Sequence, residues 1–164
     1  MDSNKLYYFF YDLWGNKNAS RAYRMLKNSQ YWEREQIEEH QRKKLYELIT
    51  HAYKNVPYYQ KKFDSAPKAT WNYKDMIKYV QDLPILTKAD IQNNFEQLQD
   101  PNADRKKMVF QHTGGTSGRP TKFYHDREKL DFTRVALQRQ YEWSGFDLRK
   151  KSLKLASGKY EVKS

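Results

Sequence analysis

The sequence predicts an α/β fold in which a mainly helical segment, residues 1–100, is followed over 101–164 by strand, glycine-rich loop, strand, helix and strand. Three observations carry this. Apolar residues recur at helical spacing through the first hundred positions, two short alternating runs flank His112–Pro120, and a capped amphipathic pattern follows the second run.

In chain order, Leu45, Leu48, Ile49 and Ala52 form one i, i+3, i+4, i+7 stripe, in a helix that begins after Ser29 and ends before Pro57. Thr87 and Asp90 have the spacing of a capping box for a further helix whose stripe is Ile91, Phe95 and Leu98, with Leu83-Pro84 marking the turn before it. Lys107–Gln111 and Thr121–His125 alternate as strands. Asp126 is placed to cap a long helix carrying Leu130, Leu137 and Tyr141, and Gly145 to close it. Leu153 and Leu155, alternating with Ser152 and Lys154, read as a last strand. Two or three strands with one helix do not cover both faces of a sheet, so the expectation is the opening of a larger α/β domain.

The chemistry concentrates in the loop. Thr113, Gly114, Gly115, Thr116, Ser117, Gly118 and Arg119 put three hydroxyls, three glycines and a cation between two strands, with Lys122 just beyond. Glycines let backbone N–H groups approach an anion closely, and hydroxyls donate short bonds to the same oxygens. The spacing excludes two phosphate loops. A Walker A loop needs lysine directly after its last glycine, where Arg119 and Pro120 stand, and a dinucleotide fingerprint needs a helix to open inside the motif, where Pro120–His125 alternates as a strand. The competing reading of such a cluster is an ordinary turn.

The T-G-G-T-S-G-R-P run followed by a strand resembles the phosphate loop of adenylate-forming enzymes, and more closely that of the phenylacetate-CoA ligase family with its capsule-biosynthesis relatives. The resemblance extends upstream through Ser29-Gln30-Tyr31-Trp32, the His51–Tyr59 segment and Leu83–Asp90, covering roughly residues 26 to 147. It implies an ATP-dependent acid–thiol ligase: a small-molecule carboxylic acid attacks the α-phosphate of ATP, with Mg²⁺ assisting, and a thiol such as coenzyme A then takes the acyl group. It also implies that Thr113 to Arg119 and Lys122 bind the nucleotide. Thr121 stands where the wider superfamily often has lysine, which puts a lysine role in doubt and favours the phenylacetate branch. No adenine, acceptor or catalytic-lysine segment is recognisable, so the chain is expected not to complete an acyl-adenylate cycle alone.

Composition narrows the remainder. Lys and Arg number 31 against 20 Asp and Glu, a net charge of +11, and the mean hydropathy is -1.13. Leu, Ile, Val and Phe make up only 31 of 164 residues, a thin core for a globular domain, while 14 Tyr and 4 Trp argue for fixed packing. Apolar surface on Phe110, Phe123, Leu153 and Leu155 is therefore expected to stay partly exposed and to favour self-association through an incomplete sheet. The absence of cysteine excludes disulfides and thiolate chemistry, and His40, His51, His112 and His125 lack metal-ligand spacing, so no metal site is expected in the chain itself. Without a long apolar run or a leader pattern the expected location is cytoplasmic, with no membrane partner. Two other functions stay open: nucleic-acid binding through interleaved Tyr and Lys such as Tyr58-Tyr59-Gln60-Lys61-Lys62, and, more weakly, an interfacial anchor through Tyr7, Phe9, Phe10, Tyr11 and Trp14. The spread of the positive charge argues against the nucleic-acid reading.

Overall fold

The computed structural model describes residues 17–113 and 120–145. In this part the molecule is mixed α/β and mostly helical, with one two-stranded antiparallel sheet. The anchor segment Tyr7–Trp14, the loop residues Gly114 to Arg119 and the strand expected at Leu153 and Leu155 lie outside the described residues.

Helix α1 (Lys17–Ser29) turns Ala19, Ala22, Tyr23 and Leu26 to one side, where Ala19 and Tyr23 are buried together with Val135. The Trp32 turn then leads into α2 (Arg34–Asn55), whose entry is fastened by the Glu33 N–H donating to Gln36 Oε1 at 3.0 Å. Pro57 ends α2 because it lacks an N–H for the next helical bond and forces Val56 to an extended conformation (φ -109, ψ 112). The same proline opens α3 (Pro57–Lys62), occupying the first-turn position where a missing N–H costs nothing.

Helix α4 (Tyr73–Asp82) starts at Asn72, whose side chain accepts from the Asp75 N–H at 3.0 Å while its own N–H donates to Asp75 Oδ2 at 3.2 Å. It lies against α2. Arg42 Nη1 donates to the carbonyls of Ala69 (3.3 Å) and Trp71 (3.4 Å), the Tyr73 hydroxyl donates to Gln41 Oε1 (2.8 Å), and Met76 is 0% exposed.

Two apolar stripes differ from expectation. On α2 the inward line is Leu45, Ile49, Ala52 and on to Val56, while Leu48 is 65% exposed, so the buried stripe is narrower than the sequence pattern; α3 and α4 both pack against this helix. On the last helix, α6 (Arg127–Trp143), Val135 faces α1, and Leu137 and Tyr141 are 40% and 39% exposed. Leu137 stands two residues beyond Val135, about 200° round the helix. What turns α6 this way is polar. Glu142 Oε2 accepts from the Tyr23 hydroxyl and from Lys27 Nζ, each at 3.3 Å, and Arg139 Nη2 donates to Gln30 Oε1 at 3.3 Å. These bonds draw the Gln138, Arg139 and Glu142 side toward α1, leaving Glu142 Oε1 buried without a partner among the described residues.

The ends of α6 follow the sequence reading. Asp126 Oδ1 accepts from the Lys129 N–H, and Gly145 lies at φ +79 just past the helix, the left-handed conformation that closes a C-terminus. Among the described residues no helix is long and apolar enough to cross a membrane.

Candidate phosphate-binding hairpin

Strands β1 (Met108–His112) and β2 (Lys122–Asp126) form an antiparallel hairpin, one residue later than the alternating runs suggest because the end pairs His112–Lys122 and Met108–Asp126 join the ladder. Side chains alternate across the sheet, so Met108, Phe110 and His112 share a face with Lys122, Tyr124 and Asp126. Val109, Gln111 and Thr113 take the other face with Thr121, Phe123 and His125. The partial exposure expected for the sheet is present, with Phe110 47% exposed and Phe123 half-buried.

The ladder continues one pair beyond the strands and changes character there. The Thr113 N–H donates to the Thr121 carbonyl at 2.9 Å, and the Thr121 N–H donates to Thr113 Oγ1 at 3.0 Å in place of the Thr113 carbonyl. Thr113 thus closes the neck of the loop with its side chain. That bond uses an oxygen lone pair and leaves the hydroxyl hydrogen to donate elsewhere.

The wall beside β2 comes from α5 (Lys88–Asn93) and the turns after it. Thr87 caps this helix: its Oγ1 accepts from the Asp90 N–H at 3.1 Å, and its N–H donates to Asp90 Oδ2 at 3.0 Å. The Thr87 hydroxyl, and then its N–H, hold the Asp90 carboxyl below its ordinary value, while burial pushes the neighbouring Tyr58 phenol up. The helix is shorter than its apolar stripe. It stops at Asn93, where Asn94 Nδ2 donates back to the Asp90 carbonyl at 2.9 Å, so Phe95 and Leu98 project from turns rather than from the helix.

Ile91, Phe95 and Leu98 still act together. With Met108 and Tyr124 they line a cleft of about 430 Å³ between this wall and the hairpin, where the Phe95 and Tyr124 rings stack at 6.0 Å. A second hollow of about 360 Å³ shares Ile91, Phe95 and Lys122 with the first and adds Gln92, Asn93 and Pro120. Lys122 belongs to both, at the end next to the loop. At the far end Arg105 pairs with Glu96 at 2.8 Å, and His51 Nε2 lies 3.3 Å from Asp100 Oδ2. Asn55 Nδ2, 3.1 Å from His51 Nδ1, can only donate, so the ring accepts at Nδ1 and gives its Nε2 hydrogen to Asp100. His51 thus contacts both Asn55 and Asp100 at the end of the cleft away from Lys122.

Of the residues singled out in the sequence, Thr113 sits at the neck and Lys122 at the loop's base, on opposite faces of the hairpin; both are exposed. Gly114, Gly115, Thr116, Ser117, Gly118 and Arg119 lie outside the described residues. The donors that are described, an ammonium and a hydroxyl hydrogen, suit phosphate oxygens. Among the described residues no group of three or more His, Asp or Glu side chains comes together as a metal site. One residue was underrated by sequence reading: His112 stands directly across from Lys122, a relation visible only once the register is known. Comparison with family models, with curated proteins and with solved structures gives no match.

Proposed function

We propose that the chain supplies the nucleotide-phosphate loop of an ATP-dependent, acyl-adenylate-forming ligase similar to phenylacetate-CoA ligase. The observation that carries this reading is the hairpin: two paired strands present the Thr/Ser/Gly run from a neck fastened by both Thr113 bonds, with Lys122 at its base.

In this reading Thr113, Thr116 and Ser117 donate hydroxyl bonds to the β- and γ-phosphates, Gly114, Gly115 and Gly118 give backbone N–H donors, and Arg119 and Lys122 add positive charge. Mg²⁺ carried by the triphosphate offsets its charge. A carboxylate would attack the α-phosphate with pyrophosphate as leaving group, and a thiol such as coenzyme A would then take the acyl group with AMP as leaving group; the loop's part would be to hold the departing pyrophosphate in line. The 430 Å³ cleft beside Lys122 is large enough for a small organic ligand.

The test is calorimetric titration of the 164-residue chain with Mg·ATP, repeated with Thr116→Ala/Ser117→Ala. The double variant is expected to bind at least about tenfold more weakly, because each lost donor to a charged oxygen is worth about 1.5–3 kcal/mol. Equal affinity in the variant removes the loop from the mechanism. Tight, salt-sensitive binding of a DNA duplex in place of ATP supports the nucleic-acid reading suggested by the +11 charge.

A further inference from the structure

We draw no further inference here: the strongest candidate, the apolar cleft of about 430 Å³ between the Ile91, Phe95 and Leu98 wall and the β1–β2 hairpin, carries none because nothing in the structure shows what occupies it.

Discussion

Replacing Thr113 by Val separates the two tasks assigned to one hydroxyl. Valine keeps the shape and the strand preference of threonine and removes only the oxygen. The first loss is the Thr121 N–H bond to Oγ1, 3.0 Å long at an exposed neck. Water can replace it there, so the net cost lies at the low end for a hydrogen bond, about 0.5–1 kcal/mol, or two- to fivefold more frequent opening. The second loss is the hydroxyl donor to a phosphate oxygen, a charge-assisted bond worth about 1.5–3 kcal/mol. More frequent opening of a neck that stays mostly closed leaves affinity nearly unchanged, so the expected loss in ATP affinity is that of the donor, about 1.5–3 kcal/mol or roughly 10- to 150-fold. Thr113→Ser retains both bonds and is expected within about threefold of the natural sequence. Hydrogen exchange at the Thr121 amide reads the neck, and calorimetry with Mg·ATP reads the phosphate contact. Faster exchange in Thr113→Val with unchanged affinity refutes the phosphate role of this hydroxyl; unchanged exchange refutes the neck.

Three further outcomes follow from the fold. Met76→Ala empties a site that is fully buried between α4 and its neighbours and is expected to lower unfolding free energy by about 2–5 kcal/mol in a urea titration. Gly145→Ala meets no atom within 4 Å of the added Cβ, so its whole cost is the left-handed backbone at φ +79, about 1–2 kcal/mol, seen as a lower melting temperature and fraying of the end of α6. The Arg42 side chain, by its hydrogen bond, lowers the Glu39 carboxyl from 4.5 to about 2, so its contribution is complete above about 4.5 and disappears as pH falls toward about 2. A plot of melting temperature against pH should therefore slope less over that range in Glu39→Gln, and an identical slope would exclude the pair as a source of acid sensitivity.

How far the sequence led depends on whether a feature is local. The Thr87–Asp90 box, the Asp126 cap, the Pro57 break and the Gly145 closure all arise from residues within a few positions of one another, and the structure has them where the sequence puts them. Which face of a helix goes inward is a tertiary matter. Leu137 and Tyr141 form a sound apolar stripe, yet α6 turns Glu142 toward α1 because Tyr23 and Lys27, more than a hundred residues earlier, offer partners for its carboxylate. The cleft was likewise hidden: Ile91, Phe95 and Leu98 read as one helical stripe, and they meet only because the chain leaves the helix at Asn94 and folds over Tyr124. At the candidate site the composition of the loop was plain, whereas the double use of Thr113 and the facing of His112 and Lys122 needed the register.

The central claim is that this chain holds the phosphates of ATP with its hairpin loop, and amide chemical-shift mapping tests it most directly. On addition of Mg·ATP to the ¹⁵N-labelled 164-residue chain, the largest and saturable shifts are expected within 112–122, with smaller ones at Gln92 and Asn93 beside Lys122, and they should persist as salt is raised to about 0.15 M. Shifts that are absent, or that scatter over the basic faces of the helices and vanish with salt, would contradict the claim and mark the binding as general attraction of an anion to a chain of net charge +11.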